Sequence, residues 1–281
     1  CQTYIIRFSM RKLSYPGRSN VLAQNGMVAT SNPLSSMVAI NVLQKGGNAV
    51  DAAVAISFAL SVERPQSTGI GGGGFLLLKT PKKETPYAFD FREMAPLKSH
   101  QSMFLGPNGE EQKGKSINGP LSAGVPGLVA GLLDIHEKFG SLPLKTLLAP
   151  SIELAQKGLT VYPHLAKAIK ARAPILKRYP SSREIFFKSG QPLKVGDTLI
   201  QSDLAKTLKL ISKYGKKGFY QGFVANQIAK ESQKLGGLLS LEDLLQYKVR
   251  QRPPVKGHYK GHTVYSMGPP SSGGIHILQI L

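Results

Sequence analysis

The spacing of apolar and polar residues predicts helices and short strands along most of the chain. Asn32 followed by Pro33 predicts a helix start. The N–H groups of the first helical turn have no partner within the helix, so proline, which has no N–H, costs nothing there. Asn48 with Asp51 three residues later forms a capping-box pattern ahead of residues 49–60. Those residues are apolar almost all round and include five alanines. We expect a buried helix that its neighbours approach closely.

A glycine-rich segment precedes two predicted strands. Residues 69–74 fit the spacing G-x-G-x-x-G, yet a helix is predicted before them and a strand after, the reverse of a dinucleotide-binding unit. These glycines are instead expected to let another segment pass close to their backbone, or to let the sheet edge bend. Residues 75–78 predict a strand buried on both faces, and residues 87–91 predict its antiparallel neighbour.

The rest of the chain predicts further helices and one last strand. Residues 100–126 are rich in turn signals, and a strand is expected over about 257–267. Helices beside a hairpin-rich sheet favour an α+β fold over a doubly wound one. The later helices are expected at 127–138, 143–157, 161–178, 203–214, 223–235 and 241–246.

Composition narrows the class of protein. The 281 residues suffice for one large domain or two small ones, and they contain no apolar run long enough to cross a bilayer. A single cysteine excludes an internal disulfide and a cysteine-based zinc cluster. The six histidines lack the spacing of a metal site, so we expect neither a metal nor a cofactor.

The charge is strongly basic. There are 36 Lys and Arg against 16 Asp and Glu, a net charge of +20, and residues 164–189 carry seven basic side chains against Glu184 alone. Such a field attracts anionic ligands. No zinc finger, KH loop or recognition helix accompanies it, so no nucleic-acid partner is expected.

Two segments carry candidate chemistry. Residues 270–274 (Pro-Ser-Ser-Gly-Gly) lie between a predicted strand and a helix, but Pro270 stands where a nucleophile elbow needs glycine, so we favour a turn with a serine cap. Arg92 follows a strand beside the glycine-rich backbone, where a guanidinium can bind a carboxylate through two parallel hydrogen bonds. The alternative is a structural ion pair of Arg92 with Glu93, Asp90 or a distant acid.

Five segments, taken in order, carry a family resemblance. Together they resemble the N-terminal part of the γ-glutamyltranspeptidase (glutathione hydrolase) family, over roughly residues 26–281. One departure is Gly268, where the family commonly has a third proline. The segments are residues 48–55, 71–75, 90–96, 124–131 and 269–276.

The resemblance implies a fold and a chemistry. The fold is the N-terminal nucleophile hydrolase type, a four-layer αββα sandwich, expected to be incomplete in this chain. The family is made as a precursor that cleaves itself, and the new N-terminal threonine attacks a γ-glutamyl carbonyl with its own α-amine as base. Water or an acceptor amino acid or peptide then receives the γ-glutamyl group. In the family's Asp-x-Arg-Glu motif the arginine holds the α-carboxylate of the γ-glutamyl group, and that position here is Arg92.

The resemblance also implies what lies outside these residues. The family's threonine comes later in the precursor, so no catalytic residue is assigned and the fragment alone is expected to be inactive. Expected partners are glutathione or another γ-glutamyl substrate and the small subunit of the same precursor.

The expected location is periplasmic or secreted, with Cys1 as a candidate lipid anchor. Residues 1–25 are read as a basic tail and residues 26–281 as the large-subunit part. The alternative is a catalytically inactive homologue that binds a partner or an acidic ligand through its basic surface.

Overall fold

The computed structural model describes residues 21–281, so Cys1 and most of the predicted tail lie outside the described residues. The helices are α1 (Pro33–Gln44), α2 (Ala49–Glu63), α3 (Leu128–Phe139), α4 (Leu144–Lys157), α5 (Pro163–Leu176), α6 (Pro180–Phe186), α7 (Ser202–Tyr214), α8 (Lys217–Tyr220), α9 (Gly222–Lys234), α10 (Leu241–Gln246) and α11 (Gly273–Ile280). The strands are β1 (Phe75–Leu78), β2 (Tyr87–Asp90), β3 (Leu159–Thr160), β4 (Phe187–Lys188), β5 (Gln191–Pro192), β6 (Thr198–Leu199), β7 (Arg250–Arg252), β8 (Val255–Tyr259) and β9 (His262–Ser266). Helices beside antiparallel strands make this an α+β fold, as predicted.

Helix α2 lies at the centre of the main hydrophobic core. Its Val54, Phe58 and Val62 are 1 % exposed or less, and α1, α3 and α4 pack around it. The predicted capping box is present, because the Asn48 side chain accepts the N–H groups of Val50 and Asp51 while Asp51 accepts the N–H of Asn48 at 2.9 Å. The local sequence therefore fixes where the buried helix begins.

The sheet that carries the site has three antiparallel strands in the order β1–β2–β7. On one face the Phe139 ring of α3 lies 5.1 Å from Tyr87 and 6.2 Å from Phe89, measured between ring centroids. The prediction that β1 is buried on both faces is wrong for the described residues. Leu77 is 41 % exposed, because β1 is an edge strand and residues 21–281 leave its side of the sheet open.

The C-terminal strand prediction is also wrong. Residues 255–266 form a hairpin of β8 and β9, because the chain reverses at Lys260 and Gly261, which both have positive φ (46° and 79°). Two consecutive left-handed residues match the twist of a tight hairpin. Helix α11 follows a turn, as predicted, but its N-cap residue Ser272 makes no side-chain cap hydrogen bond. The hydroxyl of the preceding Ser271 accepts the Gly273 N–H at 3.3 Å.

The six later predicted helices are all present, each within two residues at either end. Two short helices, α6 and α8, and the two-residue strands were not predicted. A second, smaller hydrophobic cluster lies under α5 and the β3–β6 pair. None of the helices in residues 21–281 is long and apolar enough to cross a membrane.

Candidate functional site

The glycine-rich segment runs directly beside the segment that carries Arg92. The Gly74 N–H donates to the Phe91 carbonyl at 3.2 Å, and the Phe91 N–H donates to the Gly74 carbonyl at 3.0 Å. A Cβ on Gly73 would lie 2.5 Å from the Phe91 carbonyl oxygen and 2.8 Å from the Glu93 nitrogen. The expected close backbone approach is therefore confirmed, and it fixes the backbone on both sides of Arg92.

The same segment is held against helix α3 from behind. Phe91 is 4 % exposed, and its ring lies against Gly131, where any Cβ would overlap it. Since successive side chains of an extended segment point to opposite sides, a buried Phe91 directs Arg92 outward. On the far side, the Val125 N–H donates to the Met94 carbonyl at 2.7 Å.

Asp90 is fully engaged by its own chain. It is 6 % exposed, and its Oδ1 accepts the Arg92 N–H at 3.0 Å while its Oδ2 accepts Nε of Arg252 at 2.6 Å. This carboxylate positions the Arg92 backbone rather than pairing with the Arg92 guanidinium. Arg252 was missed by the sequence reasoning, because it lies 162 residues further along the chain and no local pattern marks it.

Tyr247 is a second clamp that the sequence did not reveal. Its hydroxyl donates to the Arg92 carbonyl at 2.8 Å. Burial raises the pKa of Tyr247 well above its ordinary value, and the carboxylates of Asp90 and Glu93 raise the pKa further. The hydroxyl therefore stays protonated and able to donate at every neutral and moderately alkaline pH.

The Arg92 side chain itself is open. It is 60 % exposed, and its Nε lies 3.2 Å from Oε2 of Glu93, its one ion-pair partner within residues 21–281. Its guanidinium carbon is 5.9 Å from the centroid of the Phe75 ring. The structural ion pair considered above is thus present, but it engages the side of the guanidinium and leaves the group accessible.

Two clefts flank Arg92 and Glu93, and both residues line each of them. The larger cleft has a volume of about 600 Å³ and lies against residues 94–104 and 121–124, whose lining side chains are uncharged. The smaller cleft has a volume of about 340 Å³ and lies against residues 247–252 and Pro270. Within the described residues, no three His, Cys, Asp or Glu side chains are grouped so as to hold a metal ion.

The chain is similar in sequence to two bacterial proenzymes. The chain is 47 % identical over 262 residues to the glutathione hydrolase proenzyme of Escherichia coli (strain K12), covering 93 % of this chain and 45 % of that protein. It is 42 % identical over 254 residues to the capsule biosynthesis protein CapD proenzyme of Bacillus anthracis, covering 90 % of this chain and 43 % of that protein. The chain thus spans less than half the length of these relatives.

A solved structure extends the likeness to the fold. The crystal structure of Helicobacter pylori gamma-glutamyltranspeptidase matches with a TM-score of 0.90 and 44 % identity, covering 93 % of this chain and 75 % of that chain. This match confirms the predicted N-terminal nucleophile hydrolase type of α+β fold. The sequence model of the gamma-glutamyltranspeptidase family matches residues 35–281, and the chain therefore belongs to that family.

Proposed function

We propose that this chain is the substrate-binding part of an enzyme that transfers γ-glutamyl groups from glutathione or related donors to water, amino acids or peptides. The observation that carries the proposal is the exposed Arg92 guanidinium, held on a clamped backbone where two clefts meet. The names of the relatives, glutathione hydrolase and gamma-glutamyltranspeptidase, support the same chemistry.

Arg92 is proposed to bind the α-carboxylate of the γ-glutamyl group. A guanidinium offers two parallel N–H donors that match the two oxygens of a carboxylate. Glu93 occupies Nε and so holds the planar group in one orientation, which lowers the entropy lost on binding. The Arg92 N–H donates to Oδ1 of Asp90, and the Tyr247 hydroxyl donates to the Arg92 carbonyl. These two hydrogen bonds hold the Arg92 backbone and so fix where the side chain begins.

The nucleophile is proposed to lie outside these 281 residues. As in the family, an N-terminal threonine of a small subunit would attack the γ-carbonyl, with its α-amine accepting the hydroxyl proton. The bond from the γ-carbon to the leaving amine breaks, and water or an acceptor amine then releases the γ-glutamyl group. The 45 % coverage of the Escherichia coli proenzyme supports this placement.

We propose that residues 26–281 form the large-subunit part and residues 1–25 a basic tail, which the family match over residues 35–281 supports. We also propose a periplasmic or secreted location, with Cys1 as the candidate lipid anchor. Cell fractionation of the tagged full-length precursor tests that location, and recovery with the cytoplasmic fraction would contradict it.

The test of the activity uses the full-length precursor and a γ-glutamyl anilide donor. Replacing Arg92→Lys keeps the charge but removes the forked geometry, so the donor KM should rise about tenfold, equivalent to about 1.4 kcal/mol. Arg178→Lys, the same change at an exposed residue that lines neither cleft, serves as the matched control and should leave KM unchanged. An unchanged KM in the Arg92 variant would contradict its role. Failure of the wild-type precursor to release any γ-glutamyl group would favour the inactive-homologue alternative.

A further inference from the structure

The smaller cleft beside Arg92 is lined by an excess of positive charge. It carries four cationic side chains (Arg92, Lys248, Arg250 and Arg252) and two carboxylates (Asp90 and Glu93). The larger cleft, on the other side of Arg92, has no charged lining side chain besides Arg92 and Glu93. The two clefts therefore differ in the ligand groups that they suit.

Both carboxylates of the smaller cleft are already paired. Asp90 accepts Nε of Arg252 at 2.6 Å, and Glu93 lies 3.2 Å from Nε of Arg92. Lys248 and Arg250 are exposed, and neither forms an ion pair with any residue in the part of the chain described, residues 21–281. Two positive charges in this cleft are thus left without a carboxylate from the chain itself.

The position of this pair relative to Arg92 is fixed by the sheet. Arg250 pairs with Asp90 in the β2–β7 ladder, which places the two side chains on the same side of the sheet. Tyr247, next to Lys248, is tied through its hydroxyl to the Arg92 carbonyl at 2.8 Å. A ligand carboxylate bound at Arg92 and a second anionic group in the cleft would therefore meet positive charges already held apart by the backbone.

We propose that Lys248 and Arg250 form a second carboxylate subsite, which selects γ-glutamyl donors whose leaving group itself carries a carboxylate. This inference rests on the proposed function, because Arg92 supplies the first carboxylate contact. The chemistry that fits is an acidic γ-glutamyl amino acid or peptide, with one carboxylate on Arg92 and the other between Lys248 and Arg250. A donor with a neutral leaving group gains nothing from the pair.

The test compares two donors in the full-length precursor: γ-glutamyl-glutamate, which has an acidic leaving group, and a γ-glutamyl anilide, which has a neutral one. In the double variant Lys248→Ala with Arg250→Ala, kcat/KM for the acidic donor should fall about tenfold through KM, while that for the anilide should change less than about twofold. The loss should shrink at high salt, since both side chains are exposed. A double variant at two exposed cations of segment 164–189, Lys170→Ala with Arg178→Ala, controls for the change in net charge and should favour neither donor.

The outcomes separate the inference from the function on which it rests. Equal losses on both donors, or no loss on either, would overturn the subsite while leaving the γ-glutamyl activity in place. Inactivity of the wild-type precursor on both donors would overturn the proposed function instead. The Arg92→Lys variant should weaken both donors equally, because both carry the α-carboxylate.

Discussion

Asp51 and Arg92 are both charged residues of family-like motifs, yet their surroundings are opposite. The Asp51 carboxylate is fully buried and accepts hydrogen bonds from the N–H groups of Asn48, Ser141 and Leu142 and from the Ser141 hydroxyl at 2.5 Å. The Arg92 guanidinium is 60 % exposed and pairs only with Glu93 among residues 21–281.

A structural charge and a binding charge differ in whether the chain itself satisfies their hydrogen bonds. A buried charge is tolerated only when the chain itself supplies its hydrogen bonds, as it does for Asp51. Arg92 has a fixed backbone, but only Glu93 pairs with its guanidinium among residues 21–281. The surrounding structure therefore holds in place a group whose remaining N–H donors are open to a ligand.

The largest effect is expected from Asp51→Asn. This change turns one of the two accepting oxygens into a buried NH2 donor that faces backbone N–H groups, and it removes the negative charge, so it should lower the free energy of unfolding by about 3 kcal/mol or more. Urea denaturation measures it. Glu153→Gln, at an exposed carboxylate paired with Lys157 on α4, is the matched control and should leave the midpoint unchanged. An unchanged urea midpoint in Asp51→Asn would show that the Asp51 carboxylate is not needed for stability.

A smaller loss is expected from Gly131→Ala. The new Cβ would overlap the Phe91 ring, which must move or force α3 away from the sheet, at a cost of about 1–3 kcal/mol. Because Phe91 precedes Arg92, the same variant should also raise the donor KM. Gly69→Ala is the control, since its Cβ would meet nothing within 4 Å. Equal melting temperatures for the two alanine variants would show that the close packing of Phe91 against Gly131 does not matter for stability.

The contribution of Asp51 should depend on pH. Burial alone would raise the pKa of Asp51, but the hydrogen bonds from Ser141, Asn48 and Leu142 outweigh burial and bring the pKa below its ordinary value of 3.8. The unfolded chain therefore binds a proton at a higher pH than the folded one, and stability falls as the pH drops through 3.8 towards the folded pKa. The stability gap between wild type and Asp51→Asn should be full above about pH 5 and narrow below it. A stability gap that widens as the pH falls would contradict the lowered pKa of Asp51.

The smallest effect on stability is expected at Arg92. An exposed ion pair with its sequence neighbour contributes little, so Arg92→Ala should change the free energy of unfolding by less than about 0.5 kcal/mol. Thermal unfolding of the full-length precursor checks this. A loss comparable to that of Asp51→Asn would show that Arg92 is a structural residue.

Local signals in the sequence were enough to predict much of this fold. The capping box of Asn48 and Asp51 and the pairing of β1 with β2 depend on residues close together, and both are present. The hairpin at Lys260 and Gly261 was missed because lysine in a left-handed conformation gives no turn signal. The three-residue strand β7 was missed because only its pairing with β2, far away in sequence, makes it a strand.

In the candidate site, too, the features that depend on neighbouring residues were predicted and those that depend on distant contacts were not. Arg92 was singled out from its own motif, and the close glycine backbone followed from the residue type. Tyr247 and Arg252, which fix the Arg92 segment, lie 155 and 162 residues from their partners, and one sequence carries no trace of such contacts. The second cleft was likewise out of reach, because its cations come together only when β7 pairs with β2.

The contact between Arg92 and the α-carboxylate of the donor can be removed either from the protein or from the donor. In the full-length precursor, kcat/KM is measured for a γ-glutamyl anilide and for the 4-aminobutyryl anilide, which lacks the α-carboxylate, with wild type and with Arg92→Ala. Wild type should prefer the γ-glutamyl donor by at least about a hundredfold, and Arg92→Ala should lose most of that preference. An undiminished preference in the variant would show that Arg92 does not bind the α-carboxylate.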